Sequence, residues 1–150
     1  MIAIPRFLML LAVGASVAVA AEGPWLTDFE EAKKQAAKEN KAILMDFTGS
    51  DWCGWCVKLD KEVFSKKEFL DYAKKNLVLL EVDFPRKKKL PAETKKQNEG
   101  LAKKYKIEGF PTILLTDAKG KKFAKTGYRE GGPKPYVKHL KELLEKKDLD

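Results

Sequence analysis

The chain has 150 residues, 44% of them apolar, which suits one hydrophobic core rather than two. Its formal net charge of +8 rests on 30 basic residues, of which only Arg6, Arg86 and Arg129 are arginine. A lysine-rich surface with few arginine forks and no nucleic-acid motif argues against recognition of phosphates or bases, so no nucleic-acid partner is expected. Arg6 precedes the uncharged run Phe7 to Ala21, about 15 residues, short of the roughly 20 that span a bilayer. A positive start, an apolar stretch and Ala18-Val19-Ala20 predict a secretory signal over residues 1–20, with one domain in 21–150. The domain is then exported, periplasmic or extracellular; an uncleaved membrane anchor is the alternative.

Thr27-Asp28-Phe29-Glu30 reads as a capping box with Thr27 as N-cap. It opens a helix with Phe29, Ala32 and Ala36 on one face, ending at Asn40. Ala42 to Phe47 is a buried strand interrupted by Asp46, a carboxylate that is costly there unless paired or neutral. Thr48-Gly49-Ser50-Asp51 is a turn. An amphipathic helix follows from about Cys53, with Val57, Leu59 and Val63 as its apolar side. Ser65-Lys66-Lys67-Glu68 reads as a second capping box, before a helix carrying Phe69, Leu70, Tyr72 and Ala73. Leu77 to Asp83 is the next strand, and a helix spans about Ala92 to Tyr105. Thr112 to Asp117 and Lys121 to Thr126 pair as a hairpin through Ala118-Lys119-Gly120. A last helix runs from Tyr136 to Lys147. This order of strands and helices predicts an α/β fold, a mixed sheet with helices on both faces.

Both cysteines lie in Trp52-Cys53-Gly54-Trp55-Cys56. The pair could be a two-electron switch, a structural bridge or half a metal site. As a bridge it closes too small a loop to restrict the unfolded chain much. As a metal site, Cys53, Cys56 and His139 give three ligands where structural zinc takes four, so only a dimer sharing two pairs could hold zinc or an iron–sulfur cluster.

Four features occur in order: Cys-x-x-Cys after the first buried strand, Trp52 just before it, Asp46 inside that strand, and Phe110-Pro111-Thr112 entering the third. On these the chain resembles the thioredoxin superfamily, in particular the small exported bacterial thioredoxin-like proteins, over essentially all of residues 21–150. The resemblance implies a thioredoxin fold with a central mixed four- to five-stranded sheet. It also implies a thiol-disulfide oxidoreductase whose redox-active disulfide, Cys53–Cys56, needs no other cofactor. A cysteine at a helix start meets unpaired N–H groups that favour thiolate, so Cys53 is the expected nucleophile; Cys56, one turn in, resolves the mixed disulfide. By resemblance Asp46 is the buried acid that takes a proton from Cys56, and Pro111 is a cis-proline that leaves the backbone of Phe110 open to a substrate strand. Six residues separate Asp46 from Cys53, one more than the family spacing, and Leu79 stands where the family often has a basic partner.

Trp52, Trp55, Phe110, Pro111 and Thr112, with Tyr128 nearby, are expected to bind substrate, with simple packing as the alternative for Trp52. Gly54 and Lys58 support the pair, whereas His139 is remote. Gly54-Trp55 adds no charge to stabilise a thiolate, so a potential of roughly −200 to −270 mV is expected, in the reducing part of the range. The partners implied are protein disulfides as substrates and a membrane electron transporter as reductant, with the chain a monomer. A non-enzymatic binding or chaperone module on the same fold is the rival. The basic run Arg86-Lys87-Lys88-Lys89 is a solvated loop or a docking segment.

Overall fold

The strand Ala42–Thr48 (β2) is buried at every residue, so it must be covered on both sides. The structure is a computed structural model that describes residues 23–149; the predicted signal segment, residues 1–20, lies outside them. Around β2 stand Trp25–Leu26 (β1), Leu77–Asp83 (β3), Thr112–Thr116 (β4) and Lys122–Thr126 (β5). They form one mixed sheet in the order β1-β3-β2-β4-β5, with β1, β3 and β2 mutually parallel and β4 and β5 antiparallel to their neighbours.

Alternation along the strands separates two cores. Ile43, Met45 and Phe47 face Phe29–Glu39 (α1) and Ala92–Lys104 (α4), packing with Phe29, Ala32, Ala36 and Leu101. Leu44, Leu79 and Ile113 face the other way, onto Gly54–Leu59 (α2), Lys67–Asn76 (α3) and Pro133–Leu144 (α5). There Phe64 meets Phe69 (4.8 Å), Trp25 (5.3 Å) and Tyr136 (5.9 Å). Each such buried side chain contributes about 1.5–3 kcal/mol.

Local departures from expectation have local causes. The N-cap of α1 is Asp28, whose Oδ1 accepts from Glu31 N–H (2.9 Å), while the Thr27 carbonyl is taken by Gln97 Nε2 (2.9 Å). The box at Ser65 does not form. A π turn at Asp60–Phe64 continues α2, and Ser65 closes it by donating its N–H to the Asp60 carbonyl (2.9 Å). Lys66 therefore caps α3 without a side-chain bond. Val57 stands two residues before Leu59, about 200° round the helix from it, so the two cannot share a buried face. Leu59, Val63 and Phe64 are buried, and Val57 is 48% exposed. α5 starts at Pro133 rather than Tyr136, because proline is tolerated in a first helical turn. β1 is two residues long, too short for a periodic signal.

Candidate active site

The turn after β2 delivers the cysteines. Gly49 carbonyl accepts from Trp52 N–H (3.2 Å) and Cys53 N–H (2.8 Å). A Cβ on Gly49 would lie 2.6 Å from Trp52 Nε1, so only glycine lets the indole fold over the turn. Cys53 is the N-cap of α2, and its Sγ accepts from Cys56 N–H at 3.3 Å. Gly49 N–H points at Cys56 Sγ, 3.5 Å away. The two sulfurs are joined in a disulfide with Cα atoms 5.2 Å apart. Both residues are buried, Cys53 slightly less so than Cys56. Each sulfur thus faces one backbone donor that would stabilise negative charge on it.

Aromatic side chains flank this turn on two sides. On one, Trp52 Nε1 donates to the Phe84 carbonyl (2.7 Å), and its ring meets Phe110 edge-on at 5.8 Å. The Phe110–Pro111 peptide bond is cis. Thr112 is buried and donates its hydroxyl to the Gly109 carbonyl (2.6 Å). On the other side Trp55, 56% exposed, packs on Tyr128 at 5.0 Å. Lys58 Nζ lies 5.0 and 5.3 Å from those two rings and 3.8 Å from Glu62, whose carboxylate also accepts from Tyr128 OH (2.6 Å). Gly54 is exposed, and a Cβ there would touch nothing. His139 bonds Thr126 on β5 (2.9 Å).

Behind Cys56 is a cavity of about 310 Å³, bordered also by Asp46, Asp60, Glu81 and Thr48. Strand alternation sends Asp46 to the α2 side of the sheet, as it does Leu44. Its partner across the parallel pair is Glu81, not Leu79, which pairs instead with Leu44. Register between parallel strands joined by a long crossover is not written in either strand alone, and counting placed the partner two residues early. Asp46 Oδ1 is buried with no hydrogen-bond partner. Burial, and then the negative charges of Glu81, Asp60 and Asp83, hold the Asp46 carboxyl well above the ordinary range. Burial and Asp83 raise Glu81 as well. Asp83 itself accepts from Ser50 N–H (2.9 Å) and Ser50 Oγ (2.5 Å) and pairs with Lys88 (3.1 Å). The arrangement can exchange a dithiol for a disulfide and hold a proton beside the inner sulfur. Among the described residues no group of three or more His, Cys, Asp or Glu is arranged to hold a metal ion.

Gly49, Asp51, Asp60, Glu81 and Asp83 were absent from the expected site. Glu81 carries a sequence signal, being an acid set among apolar residues inside the strand Leu77–Asp83, much as Asp46 is in β2.

Comparison with known proteins agrees with this geometry. A thioredoxin-like domain family matches residues 29–143. The disulfide bond reductase DsbH of Chlamydia pneumoniae is 39% identical over 116 residues, 77% of this chain and 70% of that protein. A solved structure of a DsbH oxidoreductase superposes with a TM-score of 0.78 at 34% identity, covering 95% of both chains. The thioredoxin-related protein DsbJ of Chlamydia pneumoniae is 32% identical over 91 residues, 61% of this chain but 26% of that protein. With the sheet order, the Cys53–Cys56 disulfide at the start of α2 and a family match across most of its length, this chain belongs to the thioredoxin superfamily.

Proposed function

We propose that the chain reduces protein disulfides outside the cytosol, with Cys53 as nucleophile, Cys56 as resolving cysteine and Asp46 as proton acceptor. It is a thiol-disulfide oxidoreductase; the direction and the residue roles are the proposal. The observation that carries it is the Cys53–Cys56 disulfide at the head of α2, its outer sulfur facing a backbone donor and its inner residue lining the Asp46 cavity.

The cycle starts from the dithiol. Cys53, as thiolate, attacks one sulfur of a substrate disulfide. That bond breaks, the leaving sulfur takes a proton, and Cys53 is joined to the other substrate sulfur. Cys56 then gives its proton to the Asp46 carboxylate, either directly or through the cavity, and attacks Cys53 Sγ. The Cys53–Cys56 bond forms, and the second substrate sulfur leaves and takes, directly or through solvent, the proton that Asp46 received. The substrate gains two electrons and two protons; the chain loses both. Burial that raises proton affinity makes Asp46 a stronger base in the fraction that is ionised. A dithiol donor must restore the reduced pair, and a membrane electron transporter fits an exported domain that has no reductant of its own. Trp52, Trp55, Phe110, Pro111 and Thr112 frame the contact with substrate, and Lys58 orders Trp55. Export is supported by the apolar run Phe7 to Ala21, and the domain acts as a monomer needing no cofactor besides its disulfide.

Trapping tests the proposal. Cys56→Ala should accumulate mixed disulfides through Cys53, and Cys53→Ala should not. Failure of Cys56→Ala to capture any specific disulfide partner would favour a binding module over a reductase.

A further inference from the structure

The basic run after β3 is fastened to the turn that carries the cysteines. Three consecutive residues before Cys53 each bond to it or to its root. Ser50 gives two hydrogen bonds to Asp83, and Trp52 donates to the Phe84 carbonyl. Between them the Asp51 carboxylate accepts the N–H groups of Arg86 (2.9 Å), Lys87 (2.8 Å) and Lys88 (2.9 Å). Those bonds, the one from Arg86 first, hold the Asp51 carboxyl below its ordinary range. A carboxylate clasping three successive amides fixes the loop backbone, so the basic side chains start from set positions.

The charges in that loop are unequal. Lys88 pairs with Asp83. Arg86 lies with its guanidinium carbon 3.8 Å from the centroid of the Trp52 ring, and among the described residues it makes no ion pair. It is an exposed residue on the side chain that immediately precedes Cys53. A guanidinium stacked on an indole keeps its N–H edges free and has already lost much of its rotamer freedom. Such a fork matches a carboxylate in two-point geometry at lower ordering cost than a free lysine.

We propose that Arg86, held by Trp52 and by the Asp51 clasp, is a docking group for an Asp or Glu beside the reactive disulfide of the partner protein. The inference rests on the oxidoreductase reading and adds substrate choice to it. Arg86 selects partners by charge at the rim, acting mainly on encounter.

The test uses two synthetic peptides with one intramolecular disulfide, alike except that Glu flanks the cysteines in one and Gln in the other. Reduced full-length chain is mixed with each, and second-order rate constants are measured at low and high salt. The Glu peptide should react about three- to tenfold faster at low salt, and the ratio should shrink as salt rises. Arg86→Ala should bring the ratio close to one, and Arg86→Lys should keep part of it. Asp51→Ala, with Arg86 still present, should also lower it. A ratio of one in the unmodified chain, or a ratio unchanged in Arg86→Ala, overturns the docking role while leaving the oxidoreductase reading intact. Reduction of neither peptide overturns both.

Discussion

Replacing Asp46 with Asn removes a buried carboxyl whose Oδ1 has no partner, and the consequence should be readable in stability against pH. Unfolded, Asp46 titrates near 3.8. Folded, burial and the neighbouring Glu81, Asp60 and Asp83 hold it well above that. Between the two values the native chain binds one more proton than the unfolded chain, so stability falls as pH rises. The slope approaches about 1.4 kcal/mol per pH unit from this one group and ends once pH passes the folded value. Asn cannot ionise, so its contribution is flat; the amide left unsatisfied costs about 1–3 kcal/mol at every pH. The stability difference between the two chains should therefore move toward the variant by about 1.4 kcal/mol per unit above the unfolded value. Groups common to both chains largely cancel in that difference. Denaturant unfolding of the oxidised chains, in steps from about pH 4 to about pH 8, measures it. A difference that stays flat across the range would refute the claim that folding raises the proton affinity of Asp46.

Gly49→Ala places a methyl against the Trp52 indole and should destabilise by about 1–3 kcal/mol, with a shift in tryptophan emission as the ring leaves the Phe84 carbonyl. Unchanged unfolding and emission would mean that the turn relaxes around it. Trp55→Ala should move stability by no more than about 0.5 kcal/mol, since the ring is largely exposed, while KM for protein disulfides rises several-fold. A lower kcat at constant KM would show that Trp55 acts in the chemistry rather than in docking. Equilibration of the Cys53–Cys56 pair against a reference dithiol should give roughly −200 to −270 mV; a value near −120 mV, typical of strong oxidants, would reverse the proposed direction.

The fold was largely legible because its signals are local. Lone apolar runs marked β2, β3 and β4, and helical spacing marked α1, α3 and α5. What stayed hidden depends on contacts between distant segments. The π turn at Asp60–Phe64 is one such feature, and no residue type announces such a turn. The cysteine pair was readable from spacing alone. Its inner surroundings were not, because Glu81 meets Asp46 only through the register of two parallel strands joined by a crossover. Asp51 looked like an ordinary turn residue; its role as a clasp appears only when the chain returns 35 residues later at Arg86.

Charge around the disulfide is lopsided, and the lopsidedness bears on the direction of electron flow. The inner residue, Cys56, borders a cavity that it shares with Asp46, Asp60 and Glu81, and negative charge placed on its sulfur would stand among carboxyls. The outer residue, Cys53, follows Trp52 and its stacked Arg86 and accepts the Cys56 N–H. Under the proposed mechanism this places the thiolate of the reduced pair on Cys53, the sulfur assigned to meet substrate. Yet among the described residues that single N–H is the only hydrogen bond to Cys53 Sγ. Strong oxidants owe their power to heavy stabilisation of the reduced thiolate, by charges and donors gathered on the outer sulfur. On the proposed reading, one donor on Cys53 and carboxyls behind Cys56 would stabilise the dithiol little and favour the closed disulfide. Such a pair would give its electrons up, which is what the proposed reductase direction requires.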